Sequence, residues 1–342
     1  MGDSQYVKFV SQKINKVRWR PTRSSLQKPD VFITGSWENK TNTINVWSVQ
    51  GGDAIEDENL ETDKLRCAHK CRVPGNIDSL TFADPDTIIA GLGNGDVVLL
   101  KYSVSQMLDI VQEWKGIHHI SGNGIPCTGV DASIPDFVTV GEDGNINLMR
   151  IGSDRLLRKL AKADSCPITD VCFVKQNEIC TVNKMGQLRL WDLRSSQDSP
   201  SRIVVTSEEL VALESVCRHP SRPHILAAGG ADGCVTTFDI RKEVAPVTKL
   251  EVHDLEVWEV QFHPTSPDNL FTCSEDGAVR RLDITSELKN QDSLISAGNR
   301  PPVDVLELLN CHNMAVNSLS ISGSRLVCGT DSESVYVIEN IQ

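Results

Sequence analysis

A turn dipeptide recurs along this chain at nearly constant spacing, and a short apolar run follows each copy. Tight hairpin turns need a positive φ angle, which glycine adopts at little steric cost. The pattern therefore predicts a hairpin at every dipeptide, in a repeat of 42 to 49 residues. The five copies are Asn94-Gly95, Asp143-Gly144, Met185-Gly186, Asp232-Gly233 and Asp276-Gly277, and successive glycines lie 49, 42, 47 and 44 residues apart.

The clearest copy of the repeat spans residues 253–284. After His253, apolar residues recur through Phe262, a second apolar run covers Leu270 to Cys273, and a third follows Gly277. Apolar runs this short favour strands over helices. One unit is thus predicted to hold at least three antiparallel strands, with a tight turn before the third.

Two weaker copies of this unit flank the five, at residues 35–47 and 328–338, which makes seven. Several short strands per unit at this period indicate a β-propeller. The predicted fold class is all-β, a seven-bladed propeller that occupies residues 1–342 as one domain. A β-sandwich, or several small β domains, is the alternative that the repeat disfavours.

The segment Tyr6 to Val10 reads as a strand ahead of the first complete unit. The last unit has no outer strand of its own, so we expect this N-terminal strand to complete it and close the ring, covering an otherwise open edge. Long loops are predicted at residues 51–64, 115–126 and 286–302. The first is acidic and lacks aromatic residues, so we expect it to be mobile, with the third on the same ring face.

The chain has 342 residues and a net charge of −12, which disfavours non-specific binding to nucleic acid. Residues 1–30 carry +5, which leaves −17 for the rest. This asymmetry fits either solvated loops or a basic patch that faces an acidic partner. The eleven cysteines show no disulfide framework, which suits a reducing compartment. We find neither a signal peptide nor an apolar span of membrane length, so we expect a soluble cytosolic or nuclear protein.

Candidate chemical motifs are weak. Cys67, His69 and Cys71 could converge on one face of an extended strand, but no fourth zinc ligand is evident. His118-His119 is expected in a loop with a surface role. The glycine-rich run 91–95 resembles a phosphate-binding loop, but a strand is predicted after it where a dinucleotide site needs a helix. We therefore expect no catalytic site, metal or cofactor.

Two tryptophans bear on the surface and the core. Trp37 falls in a predicted turn, where it either serves as an exposed anchor for a partner or packs against its own blade. Trp258 alternates with Val260 and Phe262, which favours a place in the core.

The repeats resemble the WD-repeat family. His253 and His312 are each followed by apolar residues four, seven and nine positions later, and Asp164 stands in the histidine position of its own unit. The terminal Trp-Asp pair occurs at Trp191-Asp192 and is degenerate elsewhere, as at Phe238-Asp239 and Leu282-Asp283, so no copy has all of the family's polar network. The resemblance implies a rigid ring suited to protein–protein contact.

Further stretches, spread over the full length, resemble one branch of that family, the forty-three-kilodalton nucleoporins of the Y-shaped outer-ring complex of the nuclear pore. They are Tyr6 to Ile14 with Arg18 to Pro21, Thr34 to Trp37, Pro126 to Val130, Val138 to Gly144, Val257 to Val260 with Phe271 to Gly277, and Leu326 to Asp331.

This resemblance implies a non-enzymatic scaffold subunit of the nuclear envelope that supports pore assembly, mRNA export and protein transport, and acts at kinetochores in mitosis. Its partners would be the helical eighty-five-kilodalton nucleoporin and other subunits of the Y complex. It would be a monomeric propeller within a hetero-oligomer, without membrane insertion or direct contact to nucleic acid. The candidate binding residues are Trp37, Lys13, Lys16 and Arg18.

The competing hypothesis is a propeller adaptor that reads histone tails or presents substrates to a ubiquitin ligase. It requires a ring of aromatic and acidic residues at the narrow channel mouth that grips a basic peptide. Asp254, Glu256 and Asp331 could contribute to such a ring.

Overall fold

The computed structural model describes residues 5–22, 28–49, 64–103, 105, 107–206, 210–242, 248–285, 303–312 and 314–341. These residues form seven four-stranded antiparallel sheets, which are the blades of a β-propeller, and one small hairpin. The predicted fold class is confirmed. The predicted loops at 51–64 and 286–302 lie outside the described residues, apart from Lys64.

Strands β1 to β30 are numbered along the chain. Blade 1 contains β2 (Ile14–Trp19), β3 (Val31–Ser36), β4 (Asn42–Val49) and β5 (Leu65–Val73). Blade 2 contains β6 (Ile77–Asp84), β7 (Thr87–Leu92), β8 (Val97–Tyr102) and β9 (Leu108–Trp114). The hairpin is β10 (His119–Ile120) with β11 (Asn123–Gly124). Blade 3 contains β12 (Gly129–Ser133), β13 (Asp136–Val140), β14 (Ile146–Arg150) and β15 (Arg158–Leu160).

Blade 4 contains β16 (Ile168–Lys175), β17 (Glu178–Asn183), β18 (Gln187–Asp192) and β19 (Arg202–Val205). Blade 5 contains β20 (Leu213–Arg218), β21 (Ile225–Gly230), β22 (Cys234–Asp239) and β23 (Thr248–Glu251). Blade 6 contains β24 (Val257–Phe262), β25 (Asn269–Ser274), β26 (Ala278–Asp283) and β27 (Asp304–Asn310). Blade 7 contains β28 (Val316–Ser322), β29 (Arg325–Thr330), β30 (Ser334–Glu339) and β1 (Gln5–Phe9).

The ring closes as predicted, because β1 from the N-terminus is the outer strand of blade 7. It pairs with β30 over five residues, from Gln5 opposite Ile338 to Phe9 opposite Ser334. On its inward face, Tyr6 packs against apolar residues shared by blades 7 and 1. The N-terminal strand thus joins the last blade covalently to the first.

The core lies between the blades. Each of seven apolar clusters joins two neighbouring blades. Strand periodicity explains the division, since successive side chains point to opposite faces of a sheet. On β3, fully buried Phe32 belongs to the cluster between blades 7 and 1, whereas its neighbour Ile33 belongs to that between blades 1 and 2. Every blade therefore has two apolar faces.

The turn glycines have the predicted geometry. Gly233 and Gly277 have φ angles of 76° and 85°, in the left-handed region where glycine is favoured. A Cβ atom on Gly233 would lie 2.0 Å from the carbonyl oxygen of His253, and one on Gly277 would lie 3.0 Å from that of Met314. The turns of one blade thus pack directly against the loop that enters the next.

Two partial copies of the family's polar network hold this packing in place. His118 bonds to Asp143 and Thr139, both at 2.9 Å, and His253 bonds to Asp276 at 2.9 Å and Thr272 at 2.8 Å. The prediction of a surface role for His118 is wrong, since its side chain is fully buried. The hairpin β10–β11 after it displaces the apolar residues from the spacing that marks the other units.

The two other residues at the histidine position of a repeat, Asp164 and His312, differ in burial. Asp164 is buried and accepts a hydrogen bond from Asn183 Nδ2 at 2.7 Å, which explains why an aspartate can replace histidine there. His312, by contrast, is exposed and has a φ angle of 41°. Blade 4 carries the tryptophan part of the network, in which Trp191 Nε1 donates to Thr181 Oγ1 at 2.9 Å.

Two side-chain directions differ from the predictions because strands contain bulges. The register of β5 against β4 shifts at Ala68. Cys67 consequently packs towards blade 7, whereas Cys71 packs towards blade 2 and His69 accepts a hydrogen bond from the Leu108 N–H of that blade, so the three residues do not converge. On β24 a bulge at Trp258 breaks its alternation with Val260 and Phe262. Those two residues lie in the core between blades 5 and 6, whereas Trp258 packs half-buried against the core between blades 6 and 7 and lines the channel mouth.

Candidate protein-binding surface

The first strand of every blade lines a channel along the ring axis. In six of these seven inner strands the pairing register shifts at the second residue. The bulge turns that residue towards one end of the channel, which we name the turn face because the glycine turns lie there. In blade 3 the equivalent residue directly precedes β12. The seven residues form the mouth ring, and all line one cavity: Asn15, Asp78, Thr128, Thr169, Glu214, Trp258 and Asn317.

The mouth ring ties neighbouring blades together. In four blades its side chain donates a hydrogen bond to the carbonyl oxygen of the first residue in the next inner strand. These bonds run from Asn15 to Ile77 at 2.8 Å, Thr128 to Ile168 at 2.6 Å, Thr169 to Leu213 at 2.5 Å, and Asn317 to Ile14 at 3.0 Å. The mouth-ring residues of the other three blades are Asp78, Glu214 and Trp258. Asp78 and Glu214 cannot repeat this bond when ionised, because an ionised carboxylate has no hydrogen to donate.

Deeper in the channel the direction of the bonds reverses. Polar side chains of one inner strand accept hydrogen bonds from backbone N–H groups of the next. The pairs are Ser79 with Val130 at 2.8 Å, Asp131 with Phe173 at 2.7 Å, Asp170 with Val216 at 2.9 Å, Glu259 with Leu319 at 3.2 Å, Gln261 with Ile321 at 3.2 Å, Ser318 with Val17 at 3.1 Å, and Ser320 with Trp19 at 3.0 Å. These acceptors satisfy backbone groups that would otherwise lack partners.

In blade 1, the third and fifth residues of the inner strand are the cations Lys16 and Arg18, where neighbouring blades carry hydrogen-bond acceptors. Arg18 Nη2 lies 2.6 Å from Glu259 Oε1 of blade 6. Its Nη1 also donates to Ser318 Oγ at 3.1 Å and to the carbonyl oxygen of Leu319 at 3.4 Å, both in blade 7. Arg18 thus connects blades 6, 7 and 1 at the point where the ring closes.

The channel carboxylates have perturbed pKa values. Burial raises the pKa of Asp131, and it raises those of Asp170 and Asp78 to about 7. Burial acts in the same direction on Glu259, but the nearby charges of Arg18 and Lys16 hold its pKa below the ordinary value. Charge compensation therefore decides which of these carboxylates stays ionised.

The cavity at the mouth has a volume of about 370 Å³. Besides the mouth ring, it is lined by Trp37, Lys16, Glu142 and Lys184. A second cavity of about 540 Å³ opens at the other end, where Arg18, Asp131 and Asp170 are among the lining residues. The channel consequently has a larger, more polar cavity at one end and a smaller cavity lined by two tryptophans at the turn face.

The four candidate binding residues lie at different depths along the channel axis. Lys16 and Arg18 lie inside the channel, whereas Lys13 lies at the turn face with its Nζ 2.8 Å from Glu38 and 5.7 Å from the ring centre of Trp37. Trp37 is half-buried, and its Nε1 donates to Asp331 of blade 7 at 3.1 Å. It therefore contacts the neighbouring blade, which neither interpretation from the sequence included.

Sequence reasoning missed the channel carboxylates and the partner of Arg18. The available signal was a polar residue at the third or fifth position of each inner strand, since Asp170, Glu259 and Asp131 all follow that rule.

Among the described residues, no three His, Cys, Asp or Glu side chains are grouped so as to hold a metal ion. None of the described helical residues forms a segment long and apolar enough to cross a membrane.

Comparison with known proteins gives a full-length match. A family model described as WD domain, G-beta repeat, matches residues 244–281, which include β24 and β25. The chain is 37% identical to the mouse protein and 38% identical to the human protein named Nucleoporin Nup43, and each match covers 98% of both chains. It is 26% identical to the Arabidopsis thaliana Nuclear pore complex protein NUP43, again over 98% of both chains.

Proposed function

The chain belongs to the Nup43 family of WD-repeat nucleoporins, and from this premise we propose that it is a non-enzymatic scaffold subunit of the nuclear pore complex. The observation that carries the proposal is the similarity to animal nucleoporins over 98% of both chains, well beyond the residues that the repeat model matches. A resemblance confined to repeats would be compatible with many propeller functions.

The proposed place of the protein is the Y-shaped outer-ring complex at the nuclear envelope. Its chief partner would be the helical eighty-five-kilodalton nucleoporin, and through this complex it would support mRNA export, protein transport and kinetochore function in mitosis. A closed ring with apolar packing between all neighbouring blades supports a scaffold role, because such a ring offers faces that keep their shape on docking. The net charge of −12 disfavours direct binding to nucleic acid.

Of the candidate binding residues, we propose that Lys13 and Trp37 contact the partner. The Lys13 side chain is 39% exposed at the turn face, and Trp37 lies beside it. A half-buried tryptophan next to a lysine is the kind of residue pair that anchors an interface. Lys16 and Arg18 would act indirectly, by holding the inner strand β2, which Lys13 directly precedes and which pairs with the strand before Trp37.

The test is affinity purification of the tagged protein from interphase cells, followed by mass spectrometry. We expect helical nucleoporins of the Y complex in near-equal amounts. Recovery of histones or ubiquitin-ligase subunits instead would favour the adaptor function and overturn the scaffold proposal.

A variant series then tests the docking residues. Lys13→Glu combined with Trp37→Ala is expected to lower recovery of the helical partner at least tenfold. Lys159→Glu, at an exposed position on β15 of blade 3, is the matched charge control and should leave recovery unchanged. The melting temperature of each variant is measured alongside, because Trp37 also bonds to Asp331. Unchanged recovery with the double variant would exclude this pair as the docking site.

A further inference from the structure

The outer strands of the blades differ in how their free edges are protected. An unpaired strand edge invites pairing with another chain, and natural proteins keep such edges short or interrupt them with bulges. Among the outer strands that the structure describes, β15, β19 and β23 have only three or four residues, and β5, β9 and β27 each contain a register shift. Strand β1 has five residues in an unbroken register, so its edge has neither protection.

The backbone of β1 presents hydrogen-bonding groups at this edge. The Val10 N–H donates to the Glu333 carbonyl oxygen at 2.8 Å, which continues the register of β1 against β30. Since successive residues of an antiparallel ladder point their backbone groups to opposite sides, the N–H and C=O groups of Val7 and Phe9 point away from β30. No hydrogen bond to these groups occurs within the described part of the chain. The edge of β1 can therefore pair with one more strand.

One face of β1 is apolar and exposed. Tyr6 and Val10 pack against the cluster between blades 7 and 1, so Val7 and Phe9, which alternate with them, face blade 6. Val7 and Phe9 are 58% and 63% exposed, the highest values among the large apolar side chains of the described residues. Val7 lies opposite Tyr336, which packs against the cluster between blades 6 and 7. A strand added to this edge must therefore carry apolar side chains on the same face.

The opposite face of β1, towards blade 1, is basic. Lys64 Nζ lies 4.4 Å from the ring centre of Tyr6 and 3.1 Å from its hydroxyl oxygen. Lys70 and Arg72 are exposed on β5, and the β4 side chains opposite them bond to Gln12, three residues after β1. None of these three cations forms an ion pair with another described residue. An added strand would thus be favoured by carboxylates on this second face.

We propose that the free edge of β1 binds one extended strand of a partner protein, antiparallel to β1, in which apolar residues alternate with aspartate or glutamate. The backbone of this strand adds a fifth strand to blade 7. Its apolar side chains cover Val7 and Phe9, and its carboxylates face Lys64, Lys70 and Arg72. In binding of this kind, main-chain hydrogen bonds provide the affinity and alternate side chains provide the specificity.

Other occupants satisfy only part of this edge. A helix has its own backbone groups bonded internally, so it would leave those of Val7 and Phe9 without partners. A nucleic acid could contact the cations but would leave the apolar face uncovered. A second copy of this chain would bring another basic face against the first. An alternating acidic strand is the occupant that matches the backbone, apolar and charged features together.

The first test is fluorescence polarisation with a labelled nine-residue peptide in which valine alternates with glutamate. In the antiparallel arrangement the valines lie directly opposite Val7 and Phe9, so the valine N–H groups face β1. N-methylation of the valines removes these donors, whereas N-methylation of the glutamates leaves them in place and serves as the matched control.

We expect the peptide with methylated valines to bind at least tenfold more weakly than the unmodified peptide. The peptide with methylated glutamates should keep the affinity of the unmodified one. Equal affinities of the two methylated peptides would show that the backbone of β1 is not the binding element and would overturn the proposal.

Protein variants test the apolar face. Val7→Glu combined with Phe9→Glu should weaken binding of the unmodified peptide at least tenfold, with an unchanged melting temperature because both side chains are exposed. Ile203→Glu combined with Val205→Glu, on the outer strand β19, is the matched control, since these side chains are 49% and 45% exposed. An equal loss with the control pair would overturn the proposal.

A second pair of variants tests the basic face. Lys64→Glu combined with Lys70→Glu should weaken peptide binding severalfold. Lys159→Glu combined with Lys162→Glu, at exposed positions of blade 3, makes the same change in net charge and should leave binding as it is. Equal effects of the two pairs would show diffuse charge attraction in place of the committed site.

Sedimentation velocity at increasing protein concentration tests for a second copy at the edge. We expect a monomer; dimers that disappear with Val7→Glu and Phe9→Glu would overturn the proposal. The site lies on the outer side of blade 7, apart from Lys13 and Trp37 at the turn face, and its probe is a synthetic peptide. Failure of the peptide test therefore leaves the recovery of nucleoporins standing, and absence of nucleoporins from the purification leaves the peptide result standing.

Discussion

Replacing Arg18 by methionine removes the side chain that connects three blades at the closure of the ring. The Arg18 side chain is 24% exposed and that of Glu259 is 12% exposed, so their ion pair is largely shielded from water. Removing one member of a buried pair leaves an uncompensated charge and costs about 3–5 kcal/mol. Methionine keeps much of the arginine volume, so the change tests the charge more than the packing.

The expected shift in melting temperature follows from the size of the chain. The entropy of unfolding is about 2.1 cal/mol/K per residue, which gives about 0.7 kcal/mol/K for 342 residues. A loss of 3–5 kcal/mol then lowers the melting temperature by about 4–7 °C. Differential scanning calorimetry at pH 7.5 measures this shift directly.

Glu259→Gln is the partner variant that identifies the cause. Glutamine can still accept the hydrogen bond from the Leu319 N–H, as Gln261 does for Ile321 in the next layer. The double variant should therefore be more stable than Arg18→Met alone, by about 1–3 kcal/mol.

The pH dependence of the stability loss gives a second check. Without Arg18, burial raises the pKa of Glu259, so the penalty of Arg18→Met should shrink as the pH falls and Glu259 takes up a proton.

Two results would refute this reasoning. A shift below about 1 °C for Arg18→Met would mean that the bridge contributes little to closure of the ring. Strict additivity of the two single changes would mean that Arg18 and Glu259 are not coupled.

Three further changes test the channel and the turns. Asp170→Asn should raise the melting temperature at pH 8 and much less at pH 5. The pKa of Asp170 in the folded protein is about 7, above its ordinary value, so the unmodified protein loses stability as the pH rises from the ordinary pKa to the folded one. A difference in melting temperature that does not grow with pH contradicts this. Thr169→Val, which keeps the side-chain shape but removes the bond to the Leu213 carbonyl, should cost about 1–2 kcal/mol in urea denaturation, whereas no change in midpoint would show that water replaces the bond. Gly277→Val should cost about 1–3 kcal/mol by the same assay, since φ is 85° there, and an unchanged midpoint would argue against the strained turn.

The fold could be predicted because its signals are local and repeated. Five of the seven blade turns have a glycine with positive φ, as at Gly233 and Gly277, so the period of the blades is visible in the sequence. The strand Tyr6 to Val10 could be assigned to the last blade because that unit had no outer strand of its own. Both inferences need only backbone geometry and a count of strands.

The direction of individual side chains was harder to predict, because bulges interrupt the alternation of residues along a strand. Trp258 was expected on the same face as Val260 and Phe262, but the register shift before Glu259 turns it to the other side of the blade, where it packs half-buried against the core between blades 6 and 7 and lines the channel mouth. His118 was expected at the surface, since the hairpin after it hides the spacing that identified His253. No sequence pattern places Arg18 beside Glu259, which is 241 residues away in the chain and meets it only in the closed ring.

The pairing of β1 with β30 also has a consequence for biosynthesis. Gln5 pairs with Ile338, so 333 residues separate the two sides of the same hydrogen-bonded ladder. At roughly 5–20 residues per second, a ribosome needs about 17–67 s to make that length. During this time the first strand has no native partner, while the blades after it can form one by one. Exposed Val7 and Phe9 then lie on an unpaired strand edge, which is open to non-native pairing until β30 has been made.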